Sequence, residues 1–335
     1  MVTLVAGGWA VEAGARSVAS FSWRGSSHQR GRDSVSLPCM EVEEEAPLSG
    51  YGEPWLVRAV EERARGFLEN GRVVFLSGPR FFGKSALLGR LGVSVAPVSL
   101  RDPARLLYEL GGAELASVGE AVRHAARRGS SERPVVFHVT DGQAMSPFES
   151  GEDGARARGE VLGQLLGAFD EPEVRAHVRL VVTSHIPFVE LGSEAYWAMR
   201  LPECTIGDLS AEETRAFGRL WGVDFAVGEL EALRDRVGGH PYLTKLLFAA
   251  VAQGHSLERA IATSSDDDGP LAPFFRAAWE WLREPELLRA AKEAVELAQR
   301  PTTLATFALA VGGIVRPGSP PVPYGAVADW IRRLR

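Results

Sequence analysis

The run Gly78-Pro79-Arg80-Phe81-Phe82-Gly83-Lys84-Ser85 holds two glycines, a lysine and a hydroxyl at the spacing GxxxxGK[ST]. Glycines let consecutive backbone N–H groups turn toward one anion, the lysine reaches β- and γ-phosphate oxygens, and the hydroxyl ligates Mg²⁺. Gly78, Pro79, Arg80, Phe81, Phe82, Gly83, Lys84, Ser85 and Ala86 are the expected phosphate contacts, with Lys84 the acting charge and Ser85 a metal ligand. The lysine is informative because only three (84, 245 and 292) occur among 37 basic residues. The ligand that this pattern implies is a nucleoside triphosphate with Mg²⁺.

A second acid is expected near that metal. Asp141 closes the apolar run Pro134–Thr140, where a strand-end carboxylate can join Ser85 on Mg²⁺. Many hydrolysing ATPases carry a glutamate next, but here Gly142 follows, then Gln143. Gln143 is the candidate to orient the attacking water, with Glu149 and Glu152 as alternatives, and a carboxylate restored at position 142 is expected to speed turnover. Thr183-Ser184-His185 ends another apolar run, where Ser184 can report the γ-phosphate and His185 reads as structural. Arg175, Arg179 and Arg200 are candidate arginine fingers by location alone.

A phosphate loop works only between a strand and a helix. Arg72–Ser77 is a short β-branched and aromatic run that reads as a buried strand, and Ser85–Leu91 reads as an opening helix. Ahead of them, Leu56, Val60, Ala64 and Leu68 form a helical stripe. Further strands are expected at Val93–Leu100, Pro134–Asp141, Val178–Ser184 and Met199–Ile206. Helices are expected near Pro103–Leu110, Glu114–Arg127 and Ala157–Phe169, with a polar loop at 142–156. This alternation predicts an α/β fold, a P-loop parallel sheet with helices on both faces. From Leu209 the pattern turns helical: Ser210 and Glu213 form a capping box, and Gly238-Gly239 stops a helix before another starts at Pro241. Residues 263–270 have linker composition. Helices at 271–282, 285–299 and 324–334, with a short strand at 313–316, suit a C-terminal winged-helix module. The domains expected are a nucleotide-binding domain at 46–207, a helical lid at 208–263 and the winged-helix part at 264–335. Residues 1–45 read as a disordered or artefactual extension.

Bulk properties narrow the partners. A net charge of −6 and pI near 5.8 argue against general nucleic-acid coating. Two cysteines, Cys39 and Cys204, make neither a disulfide framework nor a metal cage, which fits a reducing cytoplasm. No apolar run is long enough to span a membrane.

Taken together, Ser77–Leu88, Asp141, Thr183-Ser184, Leu201–Glu213 and Gly238-Gly239-His240-Pro241-Tyr242-Leu243 resemble, in this order, the AAA-like domain of bacterial STAND-type signalling ATPases. The segment from Gly269 to Leu334 resembles the winged-helix part of the same family. The resemblance implies ATP and Mg²⁺ as ligands, with Gly83, Lys84 and Ser85 on phosphate and metal, and Asp141 completing the metal shell. It also implies Ser184 as γ-phosphate sensor and Pro241 in contact with the nucleotide. The departure at Gly142 implies slow turnover. Fused effector and sensor-repeat regions are missing from the pattern, which implies a separate protein partner, and a homo-oligomer also fits. Two other readings stay open: a scaffold that holds nucleotide without hydrolysing it, and a DNA-associated loader ATPase using the winged helix.

Overall fold

The structure is a computed structural model describing residues 54–70, 73–93, 98–101, 117–145, 147–187, 202–297, 304–316 and 323–334. All of these lie in the unit Val42–Arg335. The N-terminal extension, the helix expected at 103–110 and Arg200 lie outside the described residues.

Helix α1 (Ala59–Glu69) leads into β1 (Val74–Ser77), the glycine loop and α2 (Lys84–Arg90). β2 (Val98–Ser99), α3 (Val118–Arg128), β3 (Val135–Thr140), a 3₁₀ turn (Gly142–Met145) and α4 (Pro147–Ala168) follow. Next come α5 (Pro172–His177), β4 (Val178–Ser184) and β5 (Glu203–Thr205). The strands form one sheet in the order β2-β3-β4-β1-β5, and every pairing is parallel. β1 is buried at each position and β4 at nearly every one, as befits central strands of a sheet covered on both faces. One face is packed by Phe75, Leu180, Val182 and Val139 against Ala121, Val122, Leu162 and Leu165 of α3 and α4. Register aligns Ser77 of β1 with Ser184 of β4, and Val139 of β3 with Val182 of β4. The ends of β1, β3 and β4 therefore reach the same edge of the sheet.

One expectation in this part of the chain is overturned. The polar segment 142–156, expected as a loop, is the 3₁₀ turn followed by the start of α4. Pro147 supplies the fixed φ that suits a first helical turn, and Gly151, at φ 68, absorbs the one break inside the helix.

The remaining chain is helical: α6 (Ala211–Leu220), α7 (Glu229–Val237), α8 (Pro241–Ala252), α9 (Leu257–Ala262), α10 (Ala272–Leu282), α11 (Pro285–Leu297), α12 (Leu304–Val311) and α13 (Gly325–Arg333). The Ser210–Glu213 capping box is present in both directions. The Ser/Asp-rich stretch read as a linker is folded: Ser264 and Ser265 are buried, and Ser264 Oγ accepts from Arg236 Nε at 3.2 Å. The short strand expected at 313–316 is reduced to a single antiparallel bridge, Val315 with Pro323. Helix α13 is tied back by an Arg236–Asp329 ion pair and by Tyr324, whose hydroxyl donates to Asp208 Oδ1 at 3.0 Å. No helix among the described residues is long and apolar enough to cross a membrane.

His240 starts α8. Its buried Nδ1 accepts from the N–H groups of Tyr242 and Leu243 at 3.2 and 3.4 Å, which caps the helix. Burial pushes its pKa down from 6.5 to about 3. The unfolded chain takes up a proton below about 6.5 that the folded state refuses, so this contribution is complete above 6.5 and declines as pH falls toward 3. Urea midpoints should therefore drop between about pH 7.5 and about pH 5, and drop less in His240→Asn, which caps without titrating. Equal pH slopes for the two proteins would remove His240 from the acid response.

Candidate functional site

The glycine loop runs from the end of β1 to the start of α2. Gly78 adopts φ +149, and a Cβ there would stand 2.5 Å from the Ile206 carbonyl oxygen, so only glycine fits. Its N–H donates to the Ser184 carbonyl at 3.2 Å, tying the loop to β4. Gly83, at φ 91, turns the chain into α2. Between them Phe81 takes φ 65, an uncommon conformation for a non-glycine residue. Its ring is held on two sides, stacked on Tyr242 and edge-on to Phe274, each at 5.4 Å between centroids.

The C-terminal helices grip this loop directly. The Arg80 N–H donates to the Val311 carbonyl at 2.9 Å, and its guanidinium lies 4.2 Å from the Trp281 ring centre. Gly313 approaches so closely that a Cβ would stand 2.8 Å from the Arg80 carbonyl oxygen. Phe82 is buried against the His240 ring at 4.5 Å. The Gly-Gly-His-Pro-Tyr-Leu block thus meets the loop through His240 and Tyr242, with Pro241 half-buried between them.

Lys84 turns its ammonium toward the loop. Nζ donates to the carbonyls of Gly78 and Pro79 at 2.5 and 2.9 Å, and to His185 Nδ1 at 3.0 Å. Ser85 is exposed and Ala86 half-buried in the first turn of α2, which directs its N–H groups out of the helix end.

Asp141 lies just past β3 with φ 62, a conformation that aspartate tolerates better than most residues. Its Oδ2 accepts from Ser99 Oγ at 2.5 Å, and its Oδ1 from Gln143 Nε2 at 2.9 Å, with Arg101 Nε 3.6 Å away. Gln143 is buried, and its Oε1 accepts from the His185 N–H at 3.2 Å, so both ends of its amide are bonded within the protein. Ser184 is buried as well, and its Oγ accepts from the Ile186 N–H at 3.1 Å. Glu152 is exposed on α4, and the side chain of Glu149 lies outside the described residues. Arg175 and Arg179 sit at the opposite end of β4, donating to nearby carbonyls.

Gly142 sits where a restored carboxylate would be crowded. A Cβ at this position would stand 3.0 Å from Ser184 Cβ, 3.1 Å from the Thr183 carbonyl oxygen and 3.2 Å from the Phe75 ring. These neighbours would have to give by a few tenths of an ångström to admit a side chain.

Sequence reasoning passed over three participants. His185 reads as a structural neighbour of Ser184, yet its ring is the group at the end of β4 that meets Lys84. Its pKa lies well below the ordinary value, first through removal from water, then through the positive charges of Lys84, Arg80 and Arg101. Ser99 ends, and Arg101 follows, a two-residue strand whose sequence gives no hint that it ends beside Asp141. The one available signal was position, since each lies at the carboxyl end of a parallel strand, where α/β folds gather their ligands.

Comparisons agree with this architecture. Residues 202–318 match the family model described as AAA-like domain. Among solved structures, the Walker-type ATPase Paby2304 of Pyrococcus abyssi is similar with a TM-score of 0.55 and 13% identity, over 82% of this chain and 94% of that one. The STAND protein PH0952 of Pyrococcus horikoshii, which carries a tetratricopeptide repeat sensor, matches with a TM-score of 0.39 and 14% identity. That match covers 85% of this chain and 43% of that one. No curated protein matches the chain. The chain shares its fold with the Walker-type ATPase Paby2304, and residues 202–318 carry the AAA-like match, as the resemblance of the motifs implied.

Gly142→Glu should lower stability by about 1–3 kcal/mol, the ordinary cost of overpacking a filled site, and should not accelerate phosphate release. A stable variant with faster turnover would show that this position opens toward the loop after all.

Proposed function

We propose that the chain is an ATP-binding switch ATPase of the AAA/STAND type, with slow Mg²⁺-dependent hydrolysis coupled to domain rearrangement. The observation that carries this reading is the convergence of Lys84, Ser85 and Asp141 on one sheet edge, under a loop gripped by Val311, Gly313 and Trp281. Lys84 would meet the β- and γ-phosphates and the turn at Gly78 to Ala86 would surround them. The donor set suits Mg²⁺: Ser85 and Asp141 offer hard oxygen ligands, Ser85 exposed and the Asp141 side chain 26% exposed. When bound, the ion would neutralise charge on the phosphates. Pro241 and Ser184 belong to the same reading, as nucleotide contact and as the β4 end beside the γ-phosphate.

The switch rests on the grip. A ligand moves an equilibrium only by binding its two states differently, and the loop that would hold the phosphates is also the surface that the C-terminal helices hold. Filling the loop and keeping Arg80 on Val311 and Trp281 are coupled demands. In this reading 46–207 is the nucleotide domain, 208–263 the lid and 264–335 a winged-helix-like part, with Val315–Pro323 as the stub of its wing. The signal would pass to a protein effector or sensor in the cytoplasm, with self-association as a further route.

The packed Gly142 and fully bonded Gln143 favour a second reading, a scaffold that holds nucleotide without turning it over. The acidic chain weighs against a third, the DNA-associated loader.

Lys84→Ala should abolish or greatly weaken ATP binding without unfolding the protein. Asp141→Asn should reduce the Mg²⁺ dependence of ATP affinity more than affinity itself. Calorimetric titrations with and without Mg²⁺ measure both, and tight binding by Lys84→Ala would sink the reading. Phosphate release by wild type well below about 1 per second fits the switch, and none at all fits the scaffold.

A further inference from the structure

The Lys84 ammonium, which can only donate, meets three protein acceptors among the described residues: the Gly78 carbonyl, the Pro79 carbonyl and His185 Nδ1. A phosphate that engages Lys84 must take the place of one of them. The two carbonyls belong to the loop itself, which is anchored by the Gly78 N–H to Ser184 and the Arg80 N–H to Val311. His185 is the only side chain of the three, and an imidazole can turn about χ1 without moving the backbone.

We infer that His185 is a positioning residue that competes with phosphate for Lys84 and so sets how tightly the loop takes up a nucleotide. The inference rests on the nucleotide reading above and deepens it. An ammonium only donates, so Nδ1 accepts and the imidazole is neutral with its proton on Nε2. Removal from water and the charges of Lys84, Arg80 and Arg101 favour that neutral form. The exchange also has a second end. The His185 N–H donates to Gln143 Oε1, and Gln143 Nε2 donates to Asp141, whose carboxylate is held by Ser99 and Arg101. The His185 backbone thus stays pinned to the Gln143–Asp141 chain while its ring is free to turn. The Lys84 partner at the end of β4 is thus His185, while the Ser184 hydroxyl serves its own backbone.

The test is calorimetric titration of the full chain with Mg-ATP, comparing wild type with His185→Ala, His185→Leu and His185→Asn. A charge-assisted hydrogen bond to Lys84 that phosphate must replace predicts about tenfold tighter binding when the acceptor is removed. His185→Ala should show this, and His185→Leu should show it too while filling the ring's space. His185→Asn, whose side-chain oxygen can stand where Nδ1 stood, should return affinity to near the wild-type value. Unchanged or weaker binding in both the Ala and Leu variants overturns the competition, as does an Asn variant that binds as tightly as Ala. A wild-type protein that binds no Mg-ATP overturns the nucleotide reading and this inference with it. Failure confined to the variants leaves the nucleotide reading standing.

Discussion

Because β4 lies between β1 and β3, everything at the site passes through the end of that one strand. Its pairing with β1 brings the Ser184 carbonyl to the Gly78 N–H, and its pairing with β3 puts Thr183 beside Gly142. The strands that lead into the loop and the acid are not neighbours in the sheet; β4 lies between them, and His185 at its end meets both Lys84 and Gln143. That placement explains why space at Gly142 is tight, why Ser184 is buried, and why His185 is the residue able to reach Lys84. The parallel ladder is buried on both faces, so the strand end cannot shift without disturbing the core formed by Phe75, Leu180 and Val182.

The second organising fact is that the loop has two sets of partners. On one side it is continuous with the sheet, and on the other its Arg80-Phe81-Phe82 segment is covered by the helices that end the chain. Phe81 keeps an uncommon backbone conformation only while Tyr242 and Phe274 hold its ring. The variable residues of the phosphate motif are therefore the ones that carry mechanical contact to the rest of the molecule.

Much of this was legible in advance. Strands dense in Val, Phe and Leu, ending in Gly78, Asp141 or Ser184, declared a parallel sheet, since pattern and turn chemistry agreed there. The Ser210–Glu213 cap and the Gly238–Pro241 junction were equally plain, because both are local devices. What was hidden depends on contacts distant in sequence. Polar composition at 142–156 masked a helix whose start is decided by Pro147. The Ser/Asp run at 263–270 read as solvated, yet Arg236 from another helix buries Ser264. Nothing about Gly142 alone shows that Phe75 and Ser184 occupy the space of its missing side chain.

The paired left-handed glycines at the end of α7 have one more consequence. Gly238 leaves room for the Arg316 guanidinium, where a Cβ would stand 2.0 Å from it, and Gly239 leaves room for the Leu209 carbonyl, at 2.4 Å. Glycine pairs usually suggest a loose joint, but here each vacant volume is occupied by a different part of the chain. The junction is filled on both sides, but not equally: the Arg316 guanidinium ends a flexible side chain, whereas the Leu209 carbonyl is backbone. Rotation at Gly238 is therefore resisted by a group that can swing aside, and rotation at Gly239 by one that moves only with its own chain.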